Sequence, residues 1–140
     1  MRNYNILLVD TCKADIENTK NAFSVLRITH KLICAETEMA AWSILRGDTE
    51  PTVIPAILLI DINAEGINGI EFLKKIRRDP DLRSILVLVI TAVDNDENRI
   101  AALNLNIAGY LRKPSENLEF PDFFSILNDY WNIVEFPSKK

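Results

Sequence analysis

A chain of 140 residues that is 48% apolar and 26% charged, with only four Gly and six Pro, has the make-up of one compact globular domain, leaves no room for a second and excludes the fibrous and disordered classes. Sixteen Lys and Arg against twenty Asp and Glu give a net charge of −4 with no block of like charge, so neither nucleic acid nor an anionic membrane surface is expected as a partner. Cys12 and Cys34 lack CxxC spacing and read as two reduced thiols rather than a disulfide or a zinc site.

The first apolar run, Ile6 to Val9, stops at Asp10, too short and too soon charged for a signal peptide, and reads as a strand near 5–10. Ile16, Phe23 and Leu26 follow at helical spacing, then a weaker strand at 31–35 whose entry residue, His30, is expected at the surface. Met39, Trp42 and Leu45 mark the core face of a second helix. An irregular loop from Asp48 to Pro55 leads to a strand at 56–61, apolar on both faces and ending in Asp61. The third helix carries Ile70, Leu73 and Ile76 behind a capping pair, Asn68 and Glu71, and Asp94 with Glu97 repeats that signal for a fourth. Between them lies a strand at 84–91. Asn106 suits the left-handed residue that closes the fourth helix. A fifth strand is expected at 107–112 and a last helix at 118–134, where Phe120, Phe123, Phe124, Leu127, Tyr130, Trp131 and Val134 form one wide apolar stripe. The apolar stretches are all far shorter than the roughly 20 residues that span a bilayer, so a soluble, cytoplasmic protein is expected.

Five strands alternating with five helices in this length point to a three-layer α/β sandwich of flavodoxin-like type, with a parallel sheet in the order 2-1-3-4-5. In that order strands 1 and 3 are neighbours, and ligands bind outside the carboxyl ends of the strands at this switch point. Four polar residues end four strands there: Asp10, Asp61, Thr91 and Lys113. Two carboxylates side by side require a cation or a raised pKa, and Mg²⁺ is the economical partner. Lys113 and Thr91 can hold phosphoryl oxygens, which makes Asp61 a candidate nucleophile for phosphoryl acceptance.

The runs ILLVD (6–10), LLIDIN (58–63), GIEFLKKIRRDPDLR (69–83), VLVITA (87–92) and GYLRKP (109–114) resemble the receiver domain of two-component response regulators over nearly the whole chain. The resemblance implies that Asp61 is the phosphoacceptor, that Asp10 helps to organise Mg²⁺, and that Asn63 lends a backbone carbonyl to the metal. It implies that Lys113 contacts the phosphoryl group, that Thr91 and Tyr110 form the phosphorylation switch, and that the Lys113–Pro114 peptide is cis. One position departs: Thr11 stands where the family carries a second acidic residue, usually a metal ligand. Loss of that charge forfeits on the order of 3 to 7 kcal/mol of Coulomb energy at an effective dielectric near 20 before desolvation offsets it, so Mg²⁺ should bind more weakly. Asp15 could reach the site but is more simply a partner of the helix dipole. Glu65 stands where many receivers have Pro, so that loop is expected to be less rigid.

Two other classes fail on particular residues. A haloacid-dehalogenase-like phosphatase needs an acid-base Asp where Asn63 stands, and flavin binding needs glycine between Thr11 and Asp15. The expectation is thus a non-enzymatic single-domain regulator that signals by contact; a degenerate receiver working without phosphorylation is the alternative. The aromatic ending is similar to single-domain receivers paired with phytochrome-type histidine kinases. Its surplus of aromatic side chains suggests a homodimer through helix 4, strand 5 and helix 5, with Tyr130, Trp131 and the tail contributing.

Overall fold

Strand and helix alternate along the chain because each strand is apolar on both faces and each helix on one. The computed structural model describes residues 3–50, 52–93, 95–114 and 118–136. Within them the order is β1 (Asn5–Val9), α1 (Lys13–Val25), β2 (Lys31–Ala35), α2 (Glu38–Leu45), β3 (Ile57–Asp61), α3 (Gly69–Arg78), β4 (Leu86–Thr91), α4 (Asp96–Leu103), β5 (Gly109–Arg112) and α5 (Phe120–Trp131). The strands form one parallel sheet in the order β2-β1-β3-β4-β5, with Leu8 of β1 level with Leu59 of β3 and Asp61 level with Ile90 of β4. This is the flavodoxin-like arrangement expected from the sequence.

Side chains alternate across a strand, so each strand feeds two cores. Leu7, Val9, Leu58, Ile60, Val87 and Val89 face α2, α3 and α4, where Phe72, Leu73 and Ile76 fill the space beneath α3. Ile6, Leu8, Ile57, Leu59, Leu88 and Ile90 face α1 and α5, where Phe23 meets Phe124 edge to face and Trp131 at a tilt. Covering both faces explains why the central strands read as unbroken apolar runs.

Several local expectations are corrected. Pairing in β4 begins at Leu86 because Ser84 and Ile85 close a turn, with Ile85 N–H on the Leu82 carbonyl. β5 shortens to Gly109–Arg112 because left-handed Asn106 (φ 58°) still belongs to the loop, two residues past the Asn104 cap. Asn95 caps α4, accepting from Asn98 N–H, while Asp94 lies outside the described residues. Helix α5 spans Phe120–Trp131 rather than 118–134, with Asn132 as its cap. Met39 is exposed and Ala41, Ile44 and Leu45 form the core face of α2, with Trp42 half-buried edge to face on Phe72. His30 is buried, not superficial: its Nδ1 accepts Tyr4 N–H at 3.0 Å and its Nε2 meets Asn132 Oδ1 at 3.1 Å, so it ties the start of β1 to the end of α5. Phe123, Phe124 and Trp131 are buried as well, which removes Trp131 from any contact surface.

Two packing details hold the functional rim. The Arg77 guanidinium at the end of α3 donates to the carbonyls of Arg83, Ile85, Leu105 and Asn106 at 2.7–2.9 Å, which fastens the entries of β4 and β5 to α3. Gly69 opens α3 directly against the residue that follows Asp61, where an added Cβ would lie 2.5 Å from the Ile62 carbonyl oxygen. Gly69→Ala must therefore push the 62–68 loop off its seat. A loss of about 1–3 kcal/mol in urea unfolding is expected; unchanged stability would mean that the helix start gives way without cost.

Candidate functional site

The carboxyl ends of β1, β3 and β4 and the residue after β5 meet at one edge of the sheet, and the buried Asp and Lys side chains among the described residues lie there. Asp10 leaves β1 2% exposed and Asp61 ends β3 8% exposed. Each fixes one oxygen on a local backbone donor, since Asp10 Oδ1 accepts Cys12 N–H and Asp61 Oδ1 accepts Asn63 N–H, both at 3.0 Å. Turns of this kind at Asp lock the carboxylate on its loop. The remaining oxygens converge on Lys113, whose Nζ lies 2.8 Å from Asp10 Oδ2, 2.8 Å from Asp61 Oδ2 and 2.7 Å from Asp15 Oδ2.

Burial alone would lower the Lys113 pKa, but hydrogen bonds to Asp10, Asp15 and Asp61 outweigh it and raise the group well above the ordinary lysine range. Three carboxylates around one ammonium leave two negative charges in excess, the complement of a divalent cation. Hard oxygen donors from Asp10 and Asp61 suit Mg²⁺, which takes carboxylates, carbonyls and water. Among the described residues no three acidic, histidine or cysteine side chains stand arranged as a metal cage. Thr11 is half-buried on the same loop as Asp10 and brings no charge.

Thr91 is buried at the end of β4. Its hydroxyl oxygen accepts Val93 N–H at 3.1 Å and the Asn63 amide at 2.8 Å. The Asn63 Oδ1 in turn accepts the Asn98 amide of α4 at 2.7 Å. A continuous chain of side-chain bonds thus joins the loop after Asp61 to β4 and α4. Tyr110, level with Val89 in β5, is half-buried against the α2–α4 core. Lys113 N–H donates to the Thr91 carbonyl at 2.9 Å, which carries β5 pairing as far as the lysine.

The residues singled out from the sequence, Asp10, Asp61, Asn63, Thr91 and Lys113, do meet in space, and Tyr110 lies on the strand leading to Lys113. One partner, Asp15, was weighed in that reading and set aside, and another, Asn98, escaped it. Asp15 is in the first turn of α1 as expected, yet it also binds Lys113; its only signal was its spacing from Asp10. Asn98 had none, because a polar residue on an exposed helix turn looks like any other.

A doubly wound α/β domain with an acidic pocket, a buried lysine and a hydroxyl at its switch point is built as a signalling receiver. Residues 6–122 match the response regulator receiver domain, and the chain belongs to that family. It is 34% identical over 131 residues to response regulator Rcp1 of Synechocystis sp., covering 90% of this chain and 87% of that protein. It is 30% identical over 113 residues to chemotaxis protein CheY-3 of Vibrio cholerae, covering 81% and 82%. Among solved structures, the phosphorylated cyanobacterial phytochrome response regulator RcpA matches with a TM-score of 0.83 at 26% identity, covering 98% of this chain and all of the other. The Mn²⁺-bound form of Rcp1 matches at 0.80 and 33% identity, covering 96% and 99%. Rcp1 is thus a relative that has been seen with a bound divalent cation. No helix among the described residues is long and apolar enough to cross a membrane.

Lys113→Met should leave three carboxylates without a cation and cost about 3–5 kcal/mol at neutral pH. Mutual repulsion raises carboxylate pKa values, so the variant should regain stability as the pH falls toward 5. In the wild type the sign is the other way. Because pairing raises Lys113, its contribution persists below the ordinary lysine value near 10.4 and is lost only as pH climbs above it. Urea unfolding of both proteins from pH 5 to 11 checks each limb; parallel curves would show that the ammonium does not carry this balance.

Proposed function

We propose that the protein is a single-domain response regulator that accepts a phosphoryl group on Asp61 from a histidine kinase and signals by contact with other proteins. The observation that carries this reading is the set of three Lys113 hydrogen bonds, which gathers Asp10, Asp15 and Asp61 around one ammonium at the switch point. An Asp61 oxygen attacks phosphorus, the bond from phosphorus to the donor histidine nitrogen breaks, and the imidazole leaves with the electron pair. Lys113 then follows the transferred charge from the carboxylate to a phosphoryl oxygen. The Thr91 hydroxyl turns its proton from the Val93 carbonyl to a second phosphoryl oxygen while its oxygen still accepts the Asn63 amide, and Tyr110 turns into the space behind it. Mg²⁺, held by Asp10, Asp61 and the Asn63 carbonyl, would neutralise charge on the phosphoryl oxygens. The chain supplies the acceptor and catalyses no further reaction.

The similarity to RcpA, described as a cyanobacterial phytochrome response regulator, supports a phytochrome-type histidine kinase as phosphoryl donor. The −4 net charge and the lack of a basic run favour protein rather than nucleic acid as the downstream target. Contact falls on the helices beside the β5 edge, where Ile100 and Leu103 of α4 and Ile126 and Tyr130 of α5 are exposed. The same face serves a homodimer, with Ile133 replacing the buried Trp131 in the role expected from the sequence.

Intact-mass spectrometry after treatment with a small acyl phosphate and Mg²⁺ should show one added phosphate on the wild type and none on Asp61→Asn. Equal labelling of the two would remove Asp61 from the reaction, and no labelling of either would favour the phosphorylation-independent regulator. Thr11→Asp should tighten Mg²⁺ binding by about 1 kcal/mol or more, measured by calorimetric titration; unchanged affinity would place residue 11 outside the site. Light scattering at micromolar concentration should give twice the chain mass, and Tyr130→Asp should halve it. A single chain mass for the wild type would exclude the dimer.

A further inference from the structure

The entry of a divalent cation raises a difficulty that concerns Lys113 rather than the metal. Asp10 and Asp61, the carboxylates that would hold the cation, each have one oxygen on the ammonium. Lys113 cannot simply swing into water, because its side chain is 6% exposed and its backbone is pinned to β4 through the Thr91 carbonyl. Left between the metal and its own burial, an unpaired ammonium would repel the incoming ion at close range.

Among the described residues, Asp15 is a further carboxylate bound to Lys113 that the receiver reading does not assign to the metal. It stands on the first turn of α1 rather than on a strand end, and its Oδ2 lies 2.7 Å from Lys113 Nζ. Helix geometry anchors it, with its carbonyl accepting the Thr19 hydroxyl at 2.8 Å and Thr19 itself buried. Its side chain is 26% exposed against 2% for Asp10, so it carries a negative charge at smaller desolvation cost. Asp15 also restores the balance that Thr11 upsets: without it, Asp10, Asp61 and Lys113 would leave one excess negative charge to meet a doubly charged ion.

We infer that Asp15 is the positioning residue that retains the Lys113 ammonium when a divalent cation takes Asp10 and Asp61, and that it supplies the acidic charge missing at Thr11. The inference rests on the receiver reading above and adds to it a residue that does not touch the metal. Because Asp15 acts through charge and reach, a carboxylate one methylene longer can replace it while a neutral amide cannot.

Calorimetric titration of the full chain with MgCl₂ tests this on the wild type, Asp15→Asn, Asp15→Glu and the double variant Asp15→Asn with Thr11→Asp. Asp15→Asn should weaken Mg²⁺ binding by about tenfold or more, the range in which groups behind metal ligands act. Asp15→Glu should stay within about threefold of the wild type, and the double variant should recover most of the loss. The rise in melting temperature on adding Mg²⁺ gives a second readout, which Asp15→Asn should shrink. Should the amide perturb folding, Asp15→Ser provides the same comparison. If Asp15→Asn lowers the melting temperature without metal yet binds Mg²⁺ as the wild type does, Asp15 is only a structural partner of Lys113 and the inference falls alone. If neither the wild type nor Thr11→Asp binds Mg²⁺, the metal site of the receiver reading falls with it.

Discussion

One ammonium group makes this site possible. Without Lys113, the fold would bring three carboxylates to one edge of the sheet and repel them apart; with it, each spends an oxygen on a shared cation at 2.7–2.8 Å. The arrangement is strained in charge but not in geometry, since the donors and acceptors sit at ordinary hydrogen-bond lengths. An excess of negative charge held this way is a store of affinity for a cation, and the buried lysine is at the same time a ready partner for whatever anion the carboxylate later carries.

The rest of the molecule serves to keep that edge in register. Parallel pairing sets Asp61 beside β4 and carries β5 to Lys113, while Gly69 lets α3 start close enough to hold the loop behind Asp61. Arg77 satisfies four carbonyls that would otherwise end in loops, so the entries of two strands cannot drift. From the rim, the amides of Asn63 and Asn98 reach α4 through two short bonds. A change at Thr91 is thereby felt on a helix whose outer face carries exposed Ile100 and Leu103.

Thr11 leaves the loop after β1 with one acidic side chain, Asp10. The substitution is local in sequence, but the electrostatic balance is a property of everything within a few ångströms, and a residue from the next helix turn enters that sum. Charge counted along the strand end alone gives a weakened site; charge counted around Lys113 gives the same two-unit excess that a divalent ion matches. Which count governs is a matter of distance, because Coulomb energy at this range exceeds the cost of reaching from α1.

Apolar periodicity determined the fold class, since runs such as ILLVD and ILLID can be satisfied only when both faces are covered, and the topology of that class then set the sheet order and put Asp10, Asp61, Thr91 and Lys113 at or one residue past their strand ends on one edge. It did not determine which aromatics of α5 are surplus: Phe123, Phe124 and Trp131 all vanish into the core against Phe23, because α1 and α5 pack on each other as well as on the sheet. Nor did it place His30, whose burial depends on Tyr4 and Asn132, the latter about a hundred residues distant, or Asn98, whose amide matters only once α4 is laid across the Asn63 loop. Strand ends are legible because their chemistry repeats the local pattern. Side-chain partners drawn from separate helices are fixed only by tertiary packing, since nothing in the local sequence records what lies opposite.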